Sequence, residues 1–550
     1  MINVVWLNFH EEAPSHGYWC TSWLEEVFGL ADLGLSDIID LRNRYHFRNH
    51  LSTDSLPSNT GAIVVIPAEY NYRHVPQIND VVKSLPWAVV ILASDEQGLF
   101  PVEDLVETTA LWVMTPHFEK HVYPPGTKFM GEFYPAHIRD SLSKIEPPES
   151  RQYQAAFSGQ VTHQRRYELV EQMSEMAMLY DTYLNTTKGF TQGLGHEEYA
   201  EVLVDTTTAP APSGPVTLDS FRAFEALEAG AIPILDLQCP RVQNGVRYWK
   251  AILGDHPLPM VSHWLELPEI LDSNLDNNLV FAWWQRHKRD TLRRILADVP
   301  NVNHGQITVL VATSPIASHP STEIIEETIQ SVRHHLPGSE IIIMIDGVRP
   351  EQEHYRERYT EYTRRLLWLC NTKFKNITPM LFTEHNHQAN MTRAALAQVL
   401  TPTVLFMEHD TPLVTDRPIE WDEIIDLIGA KVVDMVRFHY EGRIHPEHEH
   451  LMLDKIPVNL DGVMLRRTVQ WSQRPHLAST EYYRRIIREY FPLDNNTMIE
   501  DRMHSVAQSQ PDVNRLAVYC PTDPDGSIVR SYHLDGRKDD PKFHMDYGSI

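Results

Sequence analysis

The sequence predicts an α/β protein in which buried parallel strands alternate with amphipathic helices, and three observations carry that expectation. Short continuous apolar runs, Val4 to Leu7, Ala62 to Ile66, Ala88 to Leu92 and Leu111 to Met114, recur between helical patterns in the first part of the chain. Such runs mark strands covered on both faces. The alternation then restarts twice, at Tyr153 and at Ile307. The chain has 550 residues, which at about 150 residues per domain is a prior for three or four folding units and excludes a single small domain.

Composition narrows the class. With 42% hydrophobic, 9% aromatic and 22% charged residues, the chain has the make-up of a soluble globular protein with a sizeable core, not of a fibrous or disordered one. Against 74 acidic residues stand 48 basic ones, a net charge of −26. That excludes a histone-like basic footprint and suits metal-assisted chemistry, and a polyanionic acceptor would need a concentrated Lys/Arg patch. Cys20, Cys239, Cys370 and Cys520 are far apart without CxxC spacing, so they are expected as reduced core thiols. The N-terminus has no basic leader, and no run of 18 apolar residues occurs. A cytoplasmic protein without a membrane span is expected.

The first series covers 1–148 and ends in the polar stretch Ile145 to Arg151; the second covers 149–300. It opens with the strand Tyr153 to Phe157, a Gly turn and Arg165-Arg166, and it includes Thr206 to Gly214, a Thr/Ala/Pro-rich stretch expected to be a loop. Residues 215–236 then read as a proline-led loop, a helix capped by Thr217 or Asp219, a terminating Gly230 and a buried strand to Asp236. The start of such a helix presents free amides suited to a diphosphate. Arg222 adds charge there, and Glu225, three residues on, is placed to accept ribose hydroxyls. The plain alternative is a surface pair on an ordinary helix. A helix from about Asn278 to Leu296 and the breaker Val299 to Gly305 close the series.

The third series covers 301–550: a strand Ile307 to Ala312, a helix Glu323 to His335, a strand Ile341 to Ile345 ending in Asp346-Gly347, a helix with Asn390 and Arg393, and a strand Thr403 to Met407 ending in Glu408-His409-Asp410. In open α/β sheets ligands bind beyond the carboxyl ends of strands, so Asp346 and the Glu408/Asp410 pair are candidates for one crevice. Two carboxylates two residues apart on an extended segment point the same way and can hold a hard divalent cation; an Asp-rich turn is the alternative. Glu500-Asp501 opens a helix, where either a general base or simple pairing with the macrodipole accounts for the acids. His533, His544 and the cluster His445, His448, His450 are late histidines, the last of these expected in an acceptor-side loop.

These residues resemble two glycosyltransferase families. From about Gln306 onward, the strand with Thr313-Ser314, the Ile-Asp-Gly strand end, the helix with Asn390 and Arg393, Glu408-His409-Asp410 and Glu500-Asp501 resemble GT-A enzymes of the inverting family-two type, with Glu408 where the family has Asp. Upstream, Arg222, Glu225, Ala226, Gly230, Ile232 and Pro233 resemble the donor-binding segment of exostosin-like GT-B enzymes. The resemblance implies an N-terminal GT-B module of two Rossmann-like subdomains followed by a C-terminal GT-A domain. It implies a UDP-linked nucleotide-sugar donor held by Thr313, Asp346, Arg393 and Glu408 in one module and by Arg165, Ser220, Arg222 and Glu225 in the other. It further implies Mn²⁺ or Mg²⁺ at Asp410, Glu408, His533 and His544, with Asp501 as base and Glu500 beside it. His10, Glu11 and Glu12 fall where GT-B enzymes form their interdomain cleft. The acceptor stays open among a glycan, a protein and a hydroxymethylated DNA base. For DNA the only basic-aromatic stretches are Trp283 to Arg289 with Arg293-Arg294, and Tyr355 to Arg365. One active GT-A module with a non-catalytic N-terminal half is the further alternative.

Overall fold

The computed structural model describes residues 2–9, 60–131, 134, 136–189, 192–242, 244–302, 304–493, 498–521 and 523–534. His10, Glu11, Glu12, Cys20 and His544 lie outside the described residues. The chain divides into two compact units, Met1–Asn303 with Asn371–Lys373 and His304–Cys370 with Phe374–Ile550. Cys239, Cys370 and Cys520 are buried free thiols. Among the described residues no helix is long and apolar enough to cross a membrane.

The first unit holds two parallel sheets. Strands β1 (Asn3–Trp6), β2 (Ala62–Pro67), β3 (Ala88–Ala93), β4 (Ala110–Met114) and β5 (Lys128–Met130) lie side by side in chain order. This sequential order has no point of reversal, unlike a doubly wound Rossmann sheet. Val64, Ile66, Val90 and Leu92 pack under the helix Val75–Ser84, which turns Val75, Ile78 and Val82 inward at helical spacing. Its proline stands in the first turn, where the missing N–H costs nothing.

The second sheet contains β6 (Tyr153–Gln160), β7 (Thr182–Thr187), β8 (Thr206–Ala211), β9 (Ile232–Asp236) and β10 (Met260–Val261), in the order β10-β9-β8-β6-β7, all parallel. Here the order does reverse, between β6 and β8. Strand β8 corrects the expectation of a loop at Thr206 to Gly214. Its threonines look polar in sequence but consume their own hydroxyls: Thr206 Oγ1 donates to the Val202 carbonyl and Thr208 Oγ1 to the Gln154 carbonyl, both at 2.6 Å. The segment is thereby fit for a sheet interior.

The helix Phe221–Glu228 follows β8, with Ser220, not Thr217 or Asp219, at its N-cap, and Gly230 adopts φ +70° just beyond its end. Its last residue, Glu228, is completely buried, and its carboxylate takes Lys288 Nζ and Trp284 Nε1 at 2.6 Å and Arg139 Nη1 at 3.0 Å. Lys288 and Trp284 belong to the helix Asn277–Leu296, so these two polar heads of the basic-aromatic stretch are committed to the core. Burial pushes the Glu228 carboxyl up, but Lys288 and Arg139 outweigh it and hold it below its ordinary value of 4.5.

The second unit is built on one nine-stranded sheet. Strands β11 (Ile307–Thr313), β12 (Glu340–Ile345), β13 (Ile377–Leu381) and β14 (Thr403–Glu408) form a parallel block in the order β13-β12-β11-β14. The sheet continues through β18 (His476–Ser479), β15 (Met435–Arg437), β19 (Leu516–Tyr519), β17 (Val463–Thr468) and β16 (Val458–Leu460). Strand β18 is antiparallel to both of its neighbours, β14 and β15. β16 and β17 form a hairpin whose turn residues, Asp461 and Gly462, both have positive φ. The helices His387–Leu396, Thr480–Tyr490 and Ile499–Ser509 cover one face through Met391, Leu396, Tyr483, Ile487 and Met503. In the helix Arg356–Thr372, Tyr359 and Tyr362 are buried, while Arg356 pairs with Glu353, and Arg364 and Arg365 with Glu361.

The Glu228 cluster generates a stability prediction. Lys288→Met leaves the carboxylate buried without its closest cation, which is expected to cost about 3–5 kcal/mol and to lower the urea midpoint of the full-length protein. The parent's stabilisation from this carboxylate is present above pH 4.5 and is lost as pH falls through the depressed folded value. The variant should therefore show a shallower acid-side loss than the parent; equal midpoints and equal acid profiles would contradict the assignment.

Candidate functional site

Strand directions decide which residues meet in the second unit. Because β18 runs antiparallel to both β14 and β15, those two strands point the same way, and Phe406 and Arg437 both stand opposite His476. Glu408 at the end of β14, Arg437 at the end of β15 and the residues leading into β18 therefore emerge at one edge. A cavity of about 370 Å³ opens there, with Glu408, Glu500 and His533 in its wall together with Arg437, Gln473 and Arg474. It lies beside the topological switch between β11 and β14, where Ala312 is in register with Glu408.

The late histidine reaches this edge through a short pairing. Residues 531–534 run back along 410–413: Tyr532 N donates to the Pro412 carbonyl at 3.1 Å and Leu534 N to the Asp410 carbonyl at 2.8 Å. Leu413 and Ser531 form an antiparallel bridge, and Arg530, buried under Tyr519, is locked by Asp523 at 2.8 Å. His533 Nε2 is thus held 3.4 Å from Asp410 Oδ2, not left in a solvated tail. Among the described residues no group of three His, Cys, Asp or Glu side chains converges as a metal site. Asp410 and His533 make a two-residue contact, so a divalent cation there would need most of its ligands from bound phosphates and water.

Glu500 and Asp501 stand in the first turn of Ile499–Ser509. Glu500 Oε2 accepts from Gln473 N at 3.2 Å and faces the cavity. Asp501 is exposed and is not among the residues lining the cavity; its charge is felt by His387. Gln388, which sequence reasoning missed, ties the two acidic segments together: its Nε2 donates to Glu408 Oε1 and its Oε1 accepts from Ile499 N, each at 3.4 Å.

The remaining residues expected in this unit have other partners. Thr313 is buried with its hydroxyl 3.0 Å from that of Tyr362. Asp346 Oδ1 accepts from Gly347 N at 2.9 Å and Asn386 N at 2.7 Å, and Oδ2 lies 2.8 Å from His385 Nδ1, so this carboxylate anchors the 384–387 turn. Arg393 is a correction. Its guanidinium donates to Asn390 and to the Phe491 carbonyl at the end of Thr480–Tyr490, and it lines a different, largely apolar depression with Arg484 and Ile487. Of the histidine cluster, His448 lines the cavity, in a 3-10 helix Pro446–Leu451.

In the first unit the residues expected at a donor site gather around the switch between β6 and β8. Arg222 Nε donates to the Ser158 carbonyl at 3.1 Å, its guanidinium lying 5.5 Å from the Phe157 ring centroid. Gly159 lets the guanidinium approach, since a Cβ there would stand 2.0 Å from Arg222 Nη2 and displace the arginine head. Glu225 is buried and accepts from Tyr199 OH at 3.0 Å, which excludes the surface pair; burial pushes its carboxyl up against the opposing pull of Arg222 and Tyr199. Ser220 Oγ is buried without a hydrogen-bond partner. Arg165 is a second correction: Asp236 takes its Nη2 at 2.6 Å and its Nε at 3.2 Å, and Glu168 takes Nη1 at 2.8 Å. Its neighbour Arg166 donates to the Ser213 carbonyl at 3.3 Å and to the Gln160 carbonyl at 3.1 Å. Burial, with the adjacent Arg222 acting in the same direction, lowers it to about 9. Glu96, in the turn after β3, acts on Arg166 and Asp219, and Glu69 beyond β2 is raised to about 7 by burial and by Glu96 and Asp95.

No family model matches the chain, and no curated protein matches it in sequence. Among solved structures, TarS 1–349 from S. aureus is similar at 16% identity with a TM-score of 0.27, over 42% of this chain and 60% of that one. A mannosyltransferase, PcManGT from Pyrobaculum calidifontis in complex with GDP-Man and Mn²⁺, is similar at 16% identity and a TM-score of 0.25, over 40% and 58%. A UDP-glucose pyrophosphorylase complexed with UDP-glucose is similar at 11% identity and a TM-score of 0.24, over 39% and 90%. The chain thus spans about 60% of the length of TarS 1–349.

The Asp346 anchor is directly testable. A Cβ at Gly347 would lie 2.2 Å from the Glu384 carbonyl carbon and 2.5 Å from His385 N, backbone atoms that cannot rotate away. Gly347→Ala is expected to cost about 1–3 kcal/mol and to speed amide exchange at Asn386. A variant that melts and exchanges like its parent would show that the turn is free to relax.

Proposed function

We propose that the C-terminal unit, residues 301–550, transfers a sugar from a UDP-linked nucleotide-sugar to an acceptor hydroxyl with inversion. The observation that carries this reading is the polar cavity at the β14 edge, which has Glu408, Glu500 and His533 in its wall and Asp410 3.4 Å from His533. Transfer needs an acidic strand end for the diphosphate's cation, and a separate carboxylate near the attacking oxygen. Asp501 takes the acceptor proton as that oxygen bonds to the anomeric carbon and the bond to the diphosphate breaks, its electron pair leaving with the phosphate. Glu500, fixed by Gln473 N, shapes the acceptor side. Asp410 and His533, 3.4 Å apart, would hold Mn²⁺ or Mg²⁺, which when bound would supply charge neutralisation for the departing diphosphate.

The first unit, read as 1–148 and 149–300, is proposed as a metal-independent GT-B-like module. This second reading is favoured by the paired Arg166 and Arg222 at the β6/β8 switch, with Ser220 at the helix start and Glu225 buried below. Arg166 takes the donor-binding part first assigned to Arg165. In the two basic-aromatic stretches considered for a DNA acceptor, Lys288, Arg356, Arg364 and Arg365 pair with glutamates.

Turnover of labelled UDP-sugars by the full chain, in a Glu225→Gln background that silences the first module, tests the reading. Asp410→Ala is expected to abolish Mn²⁺-dependent turnover with the fold intact. Asp501→Asn should slow it by a factor of about 10² or more, and Glu500→Gln should slow it less. Parental rates in Asp410→Ala would remove that residue from the site. An Asp501→Asn variant that turns over at the parental rate would move the base to another carboxylate.

A further inference from the structure

The half of the cavity beyond β14 carries more positive charge than the protein uses. Arg437 is 3% exposed, yet its hydrogen bond of 3.2 Å is to the neutral Gln470 Oε1, and its Nε has no partner. Arg474 stacks over Tyr440, its guanidinium carbon 3.8 Å from the ring centroid, and lines the cavity. Among the described residues neither guanidinium has a carboxylate within 4.0 Å. The two are close enough to act on each other, and Arg437, lowered first by burial, sits at about 10. Gln473, 4% exposed, leaves both its amide oxygen and its amide nitrogen without partners, and His439 Nδ1 is buried and unpartnered too. Two carboxylates lie near these groups: Glu500, which already accepts from Gln473 N, and Glu441, 3.7 Å from His439 Nε2.

Buried guanidiniums and amides left without partners are costly unless a ligand completes them, and a guanidinium edge matches the paired oxygens of a phosphate or carboxylate. Position says whose oxygens these are. Arg437 ends β15, two strands beyond β14 in the sheet, so at about 4.8 Å per strand it lies roughly 10 Å from the β11/β14 switch proposed for the donor. Within the cavity the Arg437 end is thus the one farther from that switch.

We infer that Arg437, Arg474 and Gln473 form a subsite for an oxyanion carried by the acceptor, so that the acceptor is a phosphate- or carboxylate-bearing molecule. The inference rests on the transfer reading only for the word acceptor; the anion site stands on its own geometry. It also reconciles an anionic acceptor with a chain of net charge −26, because the needed cations are concentrated inside one cavity.

The test is calorimetric titration of methyl phosphate and of acetate into the full-length protein, with and without saturating UDP and Mn²⁺. Binding of at least one anion is expected to persist when UDP is bound. Arg474→Gln and Arg437→Gln should each weaken it at least tenfold while UDP affinity changes less than twofold. Arg474 is half-buried on a tyrosine, so Arg474→Gln keeps the test valid if the buried Arg437→Gln fails to fold. Anion binding that UDP abolishes would give the arginines to the donor diphosphate and overturn the inference, as would unchanged binding in Arg474→Gln or no binding to the parent. Arginine-dependent anion binding in a protein that takes no UDP would sink the transfer reading and leave the anion site standing.

Discussion

One antiparallel strand governs what the second unit can do. β18 lies between β14 and β15 and opposes both, and two reversals restore the original direction. The carboxyl ends of β14 and β15 therefore open on the same side as those of β11 and β12, and the chain entering β18 passes between them. Were β18 parallel to β14, Arg437 would lie at the far edge of the sheet and the cavity would lose its basic wall. The segment 531–534, pinned along 410–413 by two backbone hydrogen bonds, adds the histidine to the same edge.

The buried charges of the chain fall into two kinds, and partners separate them. Arg165 with Asp236, Lys288 and Arg139 with Glu228, and Arg530 with Asp523 each meet a carboxylate at 3.0 Å or less. Each such pair roughly balances its own desolvation and serves as scaffold. Arg166 and Arg222 donate to backbone carbonyls, and Arg437 to the neutral Gln470 amide. These arrangements raise the energy of the free protein and favour whatever anion enters, which is the pattern expected where binding, rather than stability, dictates the residues.

Much of the strand framework was legible in the sequence because parallel strands covered on both faces read as plain apolar runs. The strands at Ala62, Ala88, Ile307, Glu340 and Thr403 and the helix Glu323–His335 appear where periodicity puts them. What failed is informative. Thr206–Ala211 was hidden because its hydroxyls are satisfied by carbonyls that no local pattern reveals. Strands β15 to β19 are short and mix polar with apolar residues, and of them only the Asp461-Gly462 turn left a readable signal. Arg165 and Arg166 are indistinguishable in sequence, since the choice between scaffold and site rests on Asp236, 71 residues downstream of Arg165. Arg393 was misjudged for the same reason: its partner is a helix-terminal carbonyl nearly 100 residues away. Gln388, Arg437 and Gln473 carry no motif at all, and only the sheet order brings them beside Glu408.

The central claim is that the β14 edge of the second unit holds a nucleotide-sugar's diphosphate through a divalent cation. A crystal of the full chain grown with UDP and Mn²⁺, with diffraction recorded at the manganese edge, tests it most directly. The account predicts an anomalous peak at about 2.0–2.3 Å from an Asp410 oxygen, bridging to the UDP phosphates. UDP bound at that edge with manganese elsewhere, or manganese and UDP both seated away from β14, would contradict it.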